Sequence, residues 1–316
     1  MQQSEPIVGA IEAGGTKFVC AVGSGPGERM LARAQFPTGG DPKALLAEVV
    51  GWLVVQQARF GPLAALGVAS FGPVDLDERS PTYGFITTTP KPGWRGTDIV
   101  GPLRRAFPGV PVGFDTDVNG AALGEGRWGA ARGLDDFVYI TVGTGIGGGG
   151  VARGKLLHGL VHPEMGHIPM PVLDGDSFGG GCAIHGRCWE GLCSGPSIAR
   201  RAGRPAEELA PDDPAWDLAT RYMAHALATL TYVLSPKRII VGGSVRKAGR
   251  LGEAAFFERT RRHLREALNG YIASPSLEEP GVAQFVVPPE LGDDAGVCGA
   301  IALAHDALAA SGSGER

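Results

Sequence analysis

Along the chain, short apolar runs keep ending in glycine. Residues 6–11 and 17–23 read as two strands around Gly14-Gly15 in the stretch "GAIEAGGTKF". Residues 41–61 carry apolar side chains at helical spacing behind Asp41 and Pro42 and stop at Gly61, which predicts a capped helix. A buried strand is predicted over 63–74, a short helix over 98–107, and a strand, polar turn and alanine-rich helix over 110–129. Residues 137–152 repeat the strand, glycine turn, strand pattern. Helices are predicted over 214–236, 251–268 and 294–310, a buried strand over 238–245 and an edge strand over 283–290, where prolines close it. Residues 80–97 and 158–196 lack a period and read as loop-rich, and "SGSGER" reads as a frayed tail. A glycine-rich hairpin followed by alternating helices and strands thus occurs twice. Two α/β lobes facing a cleft are expected, 1–120 and 121–316, with the terminal helix returning to the first.

Composition narrows the class. A chain of 316 residues is too long for one small core. Its 51 glycines are clustered, which favours backbone-lined binding loops over general flexibility. The net charge of −4 comes without a basic run, so no nucleic-acid partner is expected. The start has no secretory leader pattern, and no uninterrupted apolar run is long enough to span a membrane, so a cytoplasmic protein with no membrane partner is expected. Of five cysteines, three fall within 182–193, which suits a metal site in a reducing compartment better than disulfides.

The glycine turns suggest the chemistry. Backbone N–H groups that converge in a glycine-rich turn bind anions. Gly14, Gly15, Thr16 and Lys17 form one such candidate, and Thr144 and Gly145 in "TVGTGIGGGG" another. Neither is a P-loop or a dinucleotide fingerprint. In "FDTDVNGAALGE", Asp115 or Asn119 is a candidate helix cap, whereas Asp117 suits a general base taking a proton from an attacking hydroxyl. Cys182, His185 and Cys188 have C-x2-H-x2-C spacing, and His167 is the nearest fourth donor, with Cys193, His162 and His158 as weaker ones. The set reads as a closed structural zinc site, or else as buried free thiols. Glu164 and Glu190 flank these ligands and read as acceptors for sugar hydroxyls or as solvated surface acids. Gly242-Gly243 ends a buried strand in a turn against which a purine or ribose can lie. Trp94 either lines a pocket or anchors its own loop.

With "GAIEAGGTKF", "DTDVNGAALGE", "ITVGTGIGGGGV", "HPEMGHIPM", "GGGCAIHGRCWEGLCSGP" and "RIIVGGSV" assembled, the chain resembles the ROK family of sugar kinases, most of all its bacterial fructokinase branch. The resemblance runs from about residue 7 to about 304. It implies two actin-like, ribonuclease H-like lobes with a zinc-binding loop, and ATP-dependent phosphorylation of a hexose, with D-fructose first. Glucose, mannose or N-acetylmannosamine are the alternatives, and a non-catalytic sugar-binding regulator the remote one. It implies Asp117 as catalytic base, with Gly14, Gly15, Thr16, Lys17, Thr144 and Gly145 on the ATP phosphates and Gly242 and Gly243 on the adenosine. Asn119, Glu164 and Glu190 fall on sugar-recognition positions and His167, Cys182, His185 and Cys188 on structural Zn2+, with Mg2+ accompanying ATP. His167 also matches a sugar position, but one nitrogen cannot serve both roles, so it is placed on zinc. A homodimer is expected. Gly120 departs from the Asn-Ala found in many relatives.

Overall fold

Alternation of side chains across a strand decides the first half of the fold. In β1 (Val8–Ala13) and β2 (Lys17–Gly23), Ile11, Ala13, Phe18, Cys20 and Val22 enter one core, while Val8, Ala10, Val19 and Ala21 enter another. Strands this apolar on both faces need cover on both. The computed structural model, which describes residues 5–313, supplies it with helices. The sheet continues through β3 (Met30–Pro37), then α1 (Pro42–Phe60) leads to β4 (Leu66–Ser70). A two-residue ladder of β5 (Phe85–Ile86) and β6 (Thr97–Asp98) precedes α2 (Val100–Ala106), β7 (Val112–Thr116) and α3 (Asp117–Trp128). Strand order is β3-β2-β1-β4-β7, antiparallel through the hairpin and parallel from β1 to β7. Leu45, Leu46, Val49 and Leu53 of α1 fill one face. Val297, Ala300, Ile301 and Ala304 of the terminal helix, Ala295–Ser313, fill the other.

The second half repeats the plan. Its strands are β8 (Phe137–Val142), β9 (Ile146–Ala152) and β10 (Lys155–Leu156), followed by α4 (Trp189–Cys193), α5 (Gly195–Ala202) and α6 (Pro214–Leu234). Then come β11 (Arg238–Gly242), α7 (Glu253–Leu268), α8 (Val282–Phe285) and β12 (Val286–Val287). The order β10-β9-β8-β11-β12 again sets an antiparallel hairpin beside two parallel strands. Val138, Ile140 and Val142 of β8 and Ile239 and Val241 of β11 pack with Trp189, Trp216, Tyr222 and Phe256.

The chain divides into two compact units. One comprises Leu134–Lys155 and Pro163–Gly292; the other comprises the described residues up to Gly133, Leu156–His162 and those from Asp293 onward. The division expected after residue 120 falls inside α3, and the structure divides after that helix, at Gly133. The terminal helix lies with the first unit. Over Gly292–Gly312 it is long and apolar enough to cross a membrane, but it packs on β1, β4, β7 and α3.

Several local expectations are corrected. No polar turn separates β7 from α3, because Thr116 caps the helix directly, its side chain accepting from Asn119 N at 3.1 Å. Neither Asp115 nor Asn119 is the cap. The strand expected over 283–290 shrinks to Val286–Val287 at the sheet edge: 282–285 form a helical turn, and Pro288-Pro289 offer no N–H to a ladder. Residues 311–313 continue the terminal helix instead of fraying, and 314–316 lie outside the described residues. Trp94 is fully buried between Phe18 and Phe71, and its Nε1 donates to Gly39 O at 3.1 Å, so it anchors its loop.

Gly120 has a packing reason. α3 crosses the terminal helix so closely that a β-carbon at Gly299 would overlap the Gly120 carbonyl, and one at Gly124 would stand 2.7 Å from Ala295 O. A β-carbon on Gly120 itself would meet that of Ala69 at 2.6 Å. Gly51, exposed in the middle of α1, has no neighbouring atom within 4 Å of such a carbon. Gly299→Ala is therefore expected to lower stability by about 2–3 kcal/mol through overpacking. Gly51→Ala is expected to raise it by about 0.5–1 kcal/mol through helix propensity. Denaturant melts of the two variants check both signs.

Candidate active site

In the first unit the site grows from two turns. Ala13 pairs with Phe18, and Gly14 N donates to Lys17 O at 3.1 Å, closing the turn that holds Gly14, Gly15, Thr16 and Lys17. Buried Thr38, beyond the end of β3, clamps this turn twice: its N donates to Thr16 O at 3.0 Å and its Oγ1 to Gly14 O at 2.7 Å. Gly15, Thr16 and Lys17 stay exposed. Glu12 shares strand parity with Val8 and Ala10 and so faces the terminal helix, with its carboxylate against Gly296. Its Oε2 is buried and has no hydrogen-bond partner.

The second turn is the β7–α3 junction. It puts Asp117 in the first position of α3, half-buried, with Oδ1 accepting from Val118 N at 2.9 Å. Burial pushes Asp117 up to about 6. Burial, and then the neighbouring Asp117 charge, push Glu12 up to about 7, against the opposing charges of Lys17 and Arg33. Two residues before Asp117, buried Asp115 accepts from Thr116 N at 2.7 Å and Asn119 Nδ2 at 2.8 Å, and pairs with His158 Nε2 at 2.8 Å. Asn119 is fully buried, so its amide underpins Asp115.

In the second unit, Val142 pairs with Ile146 and leaves Gly143, Thr144 and Gly145 as the hairpin turn, with Thr144 exposed. Gly195, the first residue of α5, donates its N–H to Gly143 O at 2.8 Å. Glu190 Oε2 accepts from Ile146 N at 3.0 Å, so α4 is tied to this turn. Gly242 pairs with Thr141, which sets Gly242-Gly243 beside the same turn. Gly243 takes φ +83°, and a β-carbon there would run into β8. The glycines after 146 have a different use from a cradle. They lie within β9, and at Gly148 a β-carbon would stand 2.6 Å from Met165 Sδ. The short turn Met165–His167 packs there, with exposed Glu164 at its start.

His167, Cys182, His185 and Cys188 converge, with all four donor atoms within 4.8 Å of one another. Cys188 Sγ lies 3.5 Å from His167 Nδ1, and Cys182 Sγ 3.9 Å from His185 Nδ1. Sulfur and nitrogen ligands on a tetrahedral zinc stand about 3.6 Å apart, so the donor set fits that ion. The three weaker candidates are elsewhere. Cys193 Sγ is buried and donates to Ala219 O at 3.5 Å, His162 Nε2 accepts from Val74 N at 3.2 Å, and His158 belongs to Asp115. The loop is also tied to α6 through Asp176, which meets Tyr222, Arg187 and Arg201. Burial drives Asp176 upward, but hydrogen bonds from Tyr222, Phe178 N and Arg201 hold it at about 2.

Residues 8–307 match the ROK family. The chain belongs to the ROK family. It is 43% identical over 308 residues to the fructokinase of Zymomonas mobilis subsp. mobilis (strain ATCC 31821 / ZM4 / CP4), covering 96% of this chain and 98% of that one. Among solved structures it is similar to a ROK hexokinase from Thermus thermophilus, with a TM-score of 0.77, 28% identity and coverage of 96% and 99%. It is also similar to a ROK glucokinase from Streptomyces griseus in complex with glucose and AMPPNP, with a TM-score of 0.69, 26% identity and coverage of 95% and 99%. The duplicated sheets are thus the actin-like fold of ROK kinases.

Within this ROK chain, sequence reasoning missed Thr38, the carboxylate environment of Glu12 and the Asp115–His158 pair. All three depend on partners distant in sequence, and only Glu12, an acid between two apolar strand residues, gave a local signal. Its titration has a measurable consequence. A carboxyl whose folded pKa lies above its unfolded value stabilises the fold in the protonated form, and that stability is lost as pH rises through about 7. Glu12→Gln is therefore expected to raise stability by about 1–3 kcal/mol at pH 8 without nucleotide or metal. The gain should vanish toward pH 5, as melting curves at the two pH values would register.

Proposed function

We propose that the chain transfers the γ-phosphoryl group of ATP to a hydroxyl of a hexose, with D-fructose as substrate and fructose 6-phosphate as product. The observation that carries this reading is Asp117: a half-buried carboxylate at the start of α3, raised to about 6, beside the Gly14–Lys17 hairpin of a ROK chain. Full-length identity of 43% to a fructokinase supports the choice of sugar.

In this reading the hexose hydroxyl oxygen attacks the γ-phosphorus, the bond to the bridging oxygen breaks, and ADP leaves. Asp117 accepts the hydroxyl proton, and a pKa near 6 keeps it ionised at neutral pH yet more basic than an ordinary aspartate. The exposed Gly14–Lys17 and Thr144-Gly145 turns bind phosphates, Gly242-Gly243 binds adenosine, and Glu164, Glu190 and the Asn119 region bind sugar. The unpartnered Glu12 oxygen would help to hold a Mg2+ ion accompanying ATP, which would neutralise phosphate charge, leaving Asp117 for the proton. A zinc ion on His167, Cys182, His185 and Cys188 orders the loop that carries Glu190. Two cysteines that suit zinc and three more outside any disulfide support a reducing, cytoplasmic setting. The oligomer is a homodimer, which light scattering tests.

A coupled assay with ATP across fructose, glucose, mannose and N-acetylmannosamine tests the function: the highest kcat/KM is expected for fructose, and no turnover of any hexose contradicts it. Asp117→Asn should fold and bind sugar but lose about 10²–10⁴-fold in kcat. The wild-type rate should fall off below about pH 6 as Asp117 takes up its proton. Thorough chelation should release about one zinc per chain and lower both the melting temperature and sugar affinity; zinc-free native protein would contradict the metal assignment.

A further inference from the structure

The segment Leu156–His162 interrupts the second unit's sequence but belongs to the first unit. Two histidines pin it there. His162 is buried and accepts from Val74 N, while His158 pairs with buried Asp115. The two histidines differ in exposure. His162 is 7% exposed, whereas 44% of the His158 side chain remains open although its Nε2 is held at 2.8 Å. Asp115 accepts three hydrogen bonds: Thr116 N and Asn119 Nδ2 on one oxygen, and His158 Nε2 on the other. A carboxylate accepts only, so Nε2 carries a proton, and the 3.3 Å approach of Asn119 Nδ2 to it is a contact between two donors. That fixes the ring with Nδ1 as the remaining polar atom, and no described residue pairs with it. Asn119 Oδ1 is likewise buried without a partner.

We propose that His158 is a sugar-binding residue: Asp115, itself held by Asn119 and two residues before Asp117, fixes the imidazole so that Nδ1 meets a hydroxyl of the hexose. This rests on the kinase reading above. Asn119, fully buried with its amide on Asp115, acts as a positioning residue, and His158 is the group presented outward. Nδ1 accepts when the ring is neutral and donates when it is charged. A hydroxyl both donates and accepts, so it satisfies either form, which a carbonyl or an ammonium does not. The Asp115 hydrogen bond, against partial burial, raises His158 above its ordinary value.

The test is steady-state kinetics with ATP and fructose, together with calorimetric binding of fructose to the same proteins. His158→Ala is expected to raise KM and Kd for the sugar at least tenfold, with KM for ATP within twofold and kcat reduced less than threefold. His158→Gln, whose amide can donate to Asp115 and still offer an acceptor, is expected to recover at least half of the lost affinity on a logarithmic scale. A sugar KM and Kd within twofold of wild type in His158→Ala overturns the inference. So does a parallel loss in sugar KM, ATP KM and kcat that Gln does not restore, since that is the mark of a structural role. If His158→Ala fails to fold, His158→Phe, which keeps a flat ring but offers the sugar no polar atom, decides: native melting behaviour with a sugar Kd at least tenfold weaker supports the assignment, and a sugar Kd less than tenfold weaker contradicts it. Wild-type protein that binds fructose but phosphorylates no hexose defeats the kinase reading alone, and the Kd comparison then judges His158.

Discussion

The structure depends on a carboxylate held out of water at the junction of a strand and a helix. β7 ends and α3 begins with no residue between them, Thr116 capping the helix and Asp117 occupying its first turn. A loop in between would leave the acid free to turn into solvent and to titrate as an ordinary aspartate. The junction instead half-buries it, and burial supplies the basicity that a proton acceptor for a hydroxyl needs. Glu12, on β1 two strands from β7, is pushed toward neutrality by its own burial and then by the Asp117 charge. Such frustration without ligand suits a site whose partners bring cations and phosphates.

The rest of the first unit keeps that junction rigid. The terminal helix approaches α3 through glycines, so the backbone carrying Asp117 rests on another backbone with little side-chain play between. Asp115, beneath the junction, gathers a backbone amide, a side-chain amide and an imidazole. In the second unit a comparable role falls to the cysteine and histidine loop, which is stitched to α6 through Asp176 and reaches the Thr144-Gly145 turn through Glu190. A metal there would order the acids of that loop without entering the reaction.

What could be read from the sequence was what depends on neighbours in the chain. The α1 helix is found between its Asp41 cap and Gly61 stop, and both glycine hairpins and the four clustered metal donors follow from local pattern. β3 was missed although its inward positions, Met30, Ala32, Ala34 and Phe36, alternate with Leu31, Arg33 and Gln35; two alanines make a weak apolar face. α5 was missed because Gly195 and Pro196 look like a loop but serve as its first turn. The Asp115–His158 pair spans 43 residues, and nothing in either segment's spacing announces the other. Nor does spacing reveal that Asn119, polar and near a candidate base, is wholly buried. Burial and long-range pairing are properties of the folded chain, and they decide which polar residues face a ligand.

The most direct test of the central claim is a crystal structure with fructose and a non-hydrolysable ATP analogue. The account predicts an Asp117 carboxylate oxygen within about 3 Å of the hexose hydroxyl that points at the γ-phosphorus. A hydroxyl aligned on that phosphorus but facing another group, with Asp117 farther away than one bridging water, would contradict it.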